Sequence, residues 1–304
     1  MTSLDGTELH HGYADLGEVR LHYVEAGSGP LVVLLHGFPE FWYGWRSQIP
    51  ALARAGFRVV APDMRGYNLS SKPKGVAAYD TDHLAADVRD LIRERGAERA
   101  LIAGHDWGAA VAWVTAMNHP DVVERLAIVN VPHPGRFLRA LRRSPRQMAR
   151  SWYMFFFQIP WVPERVVSAG SYRLFLRWSF GSMNRERRPD ALSGEDIDRY
   201  IEAWSQPGAL TAMINYYRAA LRQAPRRARS RMRLVEAPTR VIWGERDRYL
   251  GVELAEPDPG YVPNVERVVR LPEASHWVQH EEPERVSELL VEFFGGESAA
   301  RVER

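Results

Sequence analysis

"LIAGHDWGAAVAW", Leu101–Trp113, is the stretch whose reading decides the fold. An apolar, strand-like run ends at Ala103, a tight turn follows, and a helix of small residues begins at Trp107. Asp106 sits at the tip of the turn, with Gly104 two residues before it and Gly108 two after. A strand, a sharp turn and a helix at this spacing form the nucleophile-elbow pattern, with Asp in the place of Ser. The glycines have a steric reason, since a Cβ on either side would collide with the neighbouring strand or helix. The helix N-terminus behind the turn points free N–H groups and its positive end at the site, which favours an ionised carboxylate and stabilises developing negative charge. Taken locally, Asp106 also fits an N-cap of the helix starting at Trp107, and both readings stand at this point.

Outward from that stretch the alternation repeats. "LVVLLHG" (31–37), "FRVVAPD" (57–63), "RALIAGH" (99–105) and "RLAIVNVP" (125–132) predict buried strands. Between them "WRSQIPALARAG" (45–56), "TDHLAADVRDLIRERG" (81–96) and "WGAAVAWVTAMNHP" (107–120) have helical spacing, with Thr81 or Asp82 the expected N-cap of the second. Apolar strands alternating with helices predict an α/β fold with a mostly parallel sheet flanked by helices. From 133 to 235 the text turns Arg-rich, aromatic and helical, with no clear strands. Strands resume at "TRVIWGERD" (239–247) and "VERVVRLPE" (265–273), and "PERVSELLVEFF" (283–294) closes the chain as a helix. The expected organisation is a core over 1–132, an inserted helical cap over 133–235 and the rest of the core over 236–304, with the tail "GGESAARVER" frayed.

Composition bounds the function. The chain has 304 residues, 45% of them hydrophobic, enough for one large core with an inserted subdomain. A net charge of +2 gives no global drive toward nucleic acid. The absence of Cys excludes disulfides, thiolate metal sites and a Cys nucleophile. No HExxH or other ligand spacing appears, so neither metal nor cofactor is expected. The first residues have no basic stretch leading into an apolar one, and no apolar run approaches ~18 residues, so no signal peptide or membrane span is predicted and a cytoplasmic location is expected. Two basic runs, "RFLRALRRSPRQMAR" (136–150) and "RQAPRRARSRMR" (222–233), read as solvated faces paired with Asp and Glu, an anionic partner being the alternative.

An elbow carboxylate that acts as a nucleophile needs a base and a group that orients it. In α/β hydrolases these follow in the order nucleophile, acid, His. Asp247 follows the strand "RVIWG", and His276 follows "ERVVRLPE"; both fall just past strand C-terminal ends, where open α/β sheets build their sites. Glu245 is the rival acid and His280 the rival base.

"HGFPEFWYGWR" (36–46), "DMRGYNLS" (63–70), "GHDWG" (104–108), "WGERD" (243–247) and "SHW" (275–277), in this order, resemble the α/β-hydrolase-fold epoxide hydrolases, relatives of the haloalkane and fluoroacetate dehalogenases. The resemblance covers about 13–295. It implies a cofactor-free enzyme in which Asp106 is the nucleophile, Asp247 the acid and His276 the base. It places the oxyanion-hole donors at the backbone N–H groups of Phe38 and Trp107. It implies two cap tyrosines that protonate the leaving alkoxide, matched here by Tyr153 in "SWYMFFFQIP" and Tyr217 in "NYYRAAL", with Tyr216 the adjacent decoy. Trp107, Trp152, Phe155 and Trp277 are expected to line an apolar pocket, and His36 and His105 to pack beneath the site. The implied partners are a small apolar epoxide and water, without nucleic acid, and a homodimer is left open. Two alternatives remain. A haloalkane dehalogenase would use the same nucleophile, although one group of those enzymes has Asn where this chain has Phe38. The arginines that clamp carboxylate in fluoroacetate dehalogenases fall on Trp107 and Ala110. A catalytically silent binder of a small apolar ligand is the other alternative.

Overall fold

The computed structural model describes residues 3–181, 183, 191–227 and 232–296. A short hairpin, β1 (Ser3–Leu4) and β2 (Thr7–Glu8), precedes an eight-stranded sheet. The sheet strands are β3 (His10–Asp15), β4 (Arg20–Ala26), β5 (Leu31–Leu35), β6 (Arg58–Pro62), β7 (Ala100–His105), β8 (Val123–Val129), β9 (Thr239–Gly244) and β10 (Val265–Leu271). They lie in the order β10-β9-β8-β7-β5-β6-β4-β3. From β6 to β10 every pairing is parallel, and β3 and β4 add an antiparallel edge. β5 and β7 are buried along their whole length, as strands covered on both faces must be, which is why they are continuous apolar runs.

The helices that cover the sheet include α1 (Gln48–Arg54), α2 (Thr81–Glu94) and α3 (Trp107–Asn118). α2 buries Leu84, Ala85, Val88, Leu91 and Ile92, one face at helical spacing, and packs on α3. Its N-cap is Asp80, which accepts from the N–H of Asp82, so the cap lies one residue before the expected Thr81. Between β8 and β9 come α4 (Pro134–Arg143), α5 (Pro145–Arg150), α6 (Trp152–Phe156), α7 (Val162–Ser168), α8 (Arg173–Ser179), α9 (Gly194–Ser205) and α10 (Ala209–Arg227). α11 (Val278–Glu281) and α12 (Pro283–Gly295) close the chain, and α12 packs on α1.

Two features of the reading meet the structure differently. β3 and β4 carry no apolar run; β3 is largely exposed, and its His and Gly interrupt any strand signal. The first basic run is only partly paired: Arg139 reaches Asp258 at 3.4 Å, while Arg142, Arg143 and Arg146 are exposed. In the second basic run, 228–231 lie outside the described residues, as do 297–304 of the tail.

The chain crosses from one side of β5 to the other between β6 and β7, a switch point that opens a crevice at the strands' C-terminal ends. β7 and α3 meet there so closely that a Cβ on Gly108 would stand 2.1 Å from the Leu35 carbonyl oxygen, and one on Gly104 2.5 Å from that of Gly108. Gly108→Ala is therefore expected to destabilise the fold by roughly 2–3 kcal/mol, because both neighbours are backbone and neither has room to move. The denaturant midpoint measures it, and an unchanged midpoint would mean that the elbow relaxes freely.

Candidate active site

β7 ends at His105 and α3 begins at Trp107, leaving Asp106 alone at the turn with φ +49° and ψ −120°. Its side chain makes no capping hydrogen bond, so the N-cap reading fails and the carboxylate projects away from the helix. Oδ1 accepts the backbone N–H of Phe38, from the loop after β5, at 2.7 Å. Oδ2 stands 3.4 Å from Nε2 of His276, in the loop after β10. On the other side of that ring, Nδ1 lies 2.7 Å from Oδ2 of Asp247, which follows β9. Three separate loops thus bring Asp106, His276 and Asp247 into one line.

Asp247 is itself fixed. Its Oδ1 accepts the N–H groups of Tyr249 at 2.7 Å and Leu250 at 3.0 Å, and its Oδ2 accepts the side-chain amide of Asn130 at 2.8 Å. Asn130, just past β8, also accepts the N–H of Gly244 at 2.7 Å, tying the end of β8 to the end of β9. Asn130 was missed in the sequence, although its place at a strand's C-terminal end was a signal. Glu245, the rival acid, lies on the surface near Arg270.

Burial works against an ionised Asp106, but the hydrogen bond and charge of His276 outweigh it and hold its pKa below the usual carboxylate value. Burial also opposes the imidazolium of His276, yet the two flanking carboxylates raise its pKa to about 10. The resting ring is therefore a cation between two anions.

Tyr153 on α6 and Tyr217 on α10 stand over this line, their ring centroids 5.7 Å apart and nearly perpendicular. Burial, reinforced by the charge of Asp106, pushes both phenols well above their ordinary value, so each holds its proton. Tyr216 turns away and donates to the Arg65 carbonyl at 2.6 Å. Two chambers adjoin Asp106, His276, Tyr153 and Tyr217. The larger, about 170 Å³, is apolar and walled by Trp107, Phe137, Leu138, Leu141 and Leu221 among others. The smaller, about 20 Å³, is hemmed in by Phe38, Trp178, Tyr249 and Trp277. Trp152 and Phe155 are not in either lining: they are 53% and 50% exposed. Residues three apart share a helix face, and the one-turn α6 uses its other face, Tyr153 and Met154, toward the cavity.

Beneath His276 lies a buried polar cluster around Glu40. The carboxylate accepts from Tyr200 at 2.8 Å, His280 at 2.6 Å and the Gln279 amide at 2.9 Å, with His105 at 3.1 Å. Burial raises its pKa, but the charge and hydrogen bonds of these histidines carry it well below the usual range. The Nε2–H of His105 donates to the His276 carbonyl at 2.8 Å. His280 is thus part of the support under the site, bound to Glu40. His36, also buried, accepts the N–H of Met64 at 2.9 Å.

Comparison with known proteins gives one consistent result. The model of the alpha/beta hydrolase fold family matches residues 30–283. The AB hydrolase superfamily protein YfhM of Bacillus subtilis (strain 168) is 42% identical over 292 residues, 95% of this chain and 99% of that one. Epoxide hydrolase 4 of Homo sapiens is 39% identical over 296 residues, 96% of this chain and 80% of that one. Among solved structures, an epoxide hydrolase from Bacillus megaterium in complex with an inhibitor superposes with a TM-score of 0.85 at 33% identity, covering 93% of this chain and all of that one.

The flanking carboxylates account for the high pKa of His276, so removing one should lower it. In Asp106→Asn the ring is expected to release its proton roughly a unit or more below pH 10. Ring-proton NMR against pH measures this, and an unmoved titration would mean that Asp247 alone sets the value.

Proposed function

The chain belongs to the epoxide hydrolases of the α/β-hydrolase family, and from that premise we propose that it opens epoxides to vicinal diols through a covalent ester on Asp106. The observation that carries the reading is the division of labour between the two oxygens of that carboxylate. Oδ1 is already held by the Phe38 N–H, while Oδ2 faces His276 and the chambers beneath two phenols. The division of the chain into a core (1–132 and 236–304) and a cap (133–235) is part of the same reading, supported by the run of helices α4–α10 between β8 and β9.

In the first step Oδ2 attacks an epoxide carbon and the carbon–oxygen bond breaks. The departing alkoxide is strongly basic and takes a proton from Tyr153 or Tyr217, leaving a tyrosinate. Ester formation also removes the negative charge of Asp106, one of the two that keep His276 protonated. With that charge gone the ring gives up its proton more readily, to the tyrosinate, and becomes the base that the second step needs. His276 then takes a proton from water, whose oxygen adds to the ester carbonyl. The negative charge grows on Oδ1, where the N–H groups of Phe38 and Trp107 receive it; losing such a donor costs roughly 3–4 kcal/mol of barrier. Collapse expels the second alkoxide, which takes the proton from His276. The carboxylic acid left on Asp106 passes its proton to His276, which restores the imidazolium between two carboxylates, and epoxide plus water has become diol.

The two chambers limit the substrate. An apolar cavity of about 150 Å³ is known to hold a benzene ring, and the larger chamber, about 170 Å³, has that scale. The smaller, about 20 Å³, has room for little more than a water molecule. The favoured substrate is a terminal epoxide with one aryl or alkyl substituent in the larger chamber.

His276→Gln is expected to stall at the ester. Intact-mass measurement with styrene oxide should find the protein heavier by the whole epoxide. With a bromoalkane, a dehalogenase would gain only the alkyl group and release bromide, and that result would replace this reading with the alternative. A protein that gains no mass from any epoxide points instead to the silent binder.

Tyr153→Phe with Tyr217→Phe is expected to slow ester formation by roughly 10²–10⁴-fold, since no acid remains for the alkoxide. On the substrate side, styrene oxide is expected to outpace trans-stilbene oxide at least about tenfold in kcat/KM, and Trp178→Ala should narrow that gap by enlarging the smaller chamber. Equal rates on both epoxides in the unaltered protein would refute the size argument while leaving the chemistry intact.

A further inference from the structure

The outer surface of the inserted helices carries an unusual concentration of exposed apolar side chains. Trp152 and Phe155 on α6, Ile159 and Trp161 after it, Val166 on α7 and Leu174 on α8 are all exposed, Trp161 to 76%. They belong to adjoining elements: the Trp152 ring lies 6.1 Å from that of Trp178 on α8, and α7 packs on α8. Trp161 has φ +59°, a left-handed conformation rare for a bulky residue, at the turn into α7. Scattered apolar residues need no explanation, but a contiguous set marks an interaction surface.

The charge around this set is one-sided. Between residues 142 and 178 the sequence has seven arginines, Arg142, Arg143, Arg146, Arg150, Arg165, Arg173 and Arg177, against one acid. That acid, Glu164, is engaged at 2.7 Å by Arg218 from α10. Arg142, Arg143, Arg146, Arg165, Arg173 and Arg177 are exposed. A second copy of the same face would bring arginines against arginines. An anionic bilayer surface answers both halves of the pattern, since interfacial segments combine Trp, Phe and Leu with Arg toward the headgroups.

We propose that the outer face of α6, α7 and α8 docks on anionic lipid bilayers through Trp161, Phe155 and Leu174, with the flanking arginines held to the headgroups. Apolar epoxides concentrate in bilayers, and the inner face of α6 carries Tyr153 and Met154 in the lining of the larger chamber. Docking of this face sets the membrane against the wall of the cavity that receives such a molecule. The binding part of the proposal stands apart from the reaction assigned above.

The test is sedimentation of the full chain with vesicles of phosphatidylcholine containing about a third phosphatidylglycerol, and with phosphatidylcholine alone. Binding is expected to the anionic vesicles, weaker on neutral ones and reduced by added salt. The double change Trp161→Ser with Leu174→Ser, and separately Arg165→Glu with Arg173→Glu, should each weaken it at least about tenfold. Turnover of a water-soluble epoxide should be unaltered in both, which verifies that they are folded. No binding to anionic vesicles overturns the proposal, as does binding that neither variant weakens. A dimer in light scattering that Trp161→Ser dissociates also overturns it, because the face then belongs to a second copy.

Discussion

Everything at the site depends on one strained turn. Asp106 is held at a positive φ because the strand before it and the helix after it leave no other path, and the tight approach of Gly108 to Leu35 locks the turn in place. The strain has a use. In an ordinary cap geometry the carboxylate would bond back to α3 and its oxygens would be spent on backbone. Here one oxygen reaches across to the loop after β5 and the other faces His276. Backbone strain of this kind costs of order 1–3 kcal/mol and survives only where the surroundings over-determine it, which a fully buried β5 and β7 do.

Around that turn the polar groups are arranged in two tiers. The upper tier is the line from Asp106 through His276 to Asp247, with Asn130 fastening the last member to two strand ends. The lower tier is Glu40 and its donors, which join the loop after β5, the segment after His276 and Tyr200 of α9. The Trp204 indole of the same helix donates to the Pro39 carbonyl. A single buried anion thus fixes the loop after β5, the loop that carries His276 and part of the run of helices between β8 and β9 relative to one another. A buried carboxylate with several donors is tolerable where an unpaired one would not be, and removal of any donor leaves charge without compensation.

Much of this was legible in the sequence for physical reasons. Parallel strands buried on both faces must be apolar throughout, so β5, β6, β7, β8 and β9 announce themselves. The elbow is legible because its crowding demands glycine at fixed offsets. The antiparallel strands β3 and β4 were not: β3 is a largely exposed edge that tolerates His, Tyr and Gly, and in β4, buried between β3 and β6, His22 and Glu25 break the apolar run. Tyr217 was separable from Tyr216 only through the resemblance; the structure adds the reason, a hydrogen bond that turns Tyr216 toward Arg65. Trp152 and Phe155 failed as pocket residues because a one-turn helix gives no periodicity from which to read its phase. Asn130 and Glu40 escaped because their importance lies in partners more than a hundred residues away in the chain.

The imidazolium held between two carboxylates gives the resting centre a net charge of about −1, from one cation and two anions. No arginine or lysine is among the described residues that line either chamber, so no charged side chain offsets that charge from the walls. An epoxide bearing its own carboxylate or phosphate meets repulsion in a low-dielectric space, where it is felt strongly. The same field admits neutral molecules without penalty. A centre of this charge works as an electrostatic filter, set against acidic molecules before the size of either chamber matters.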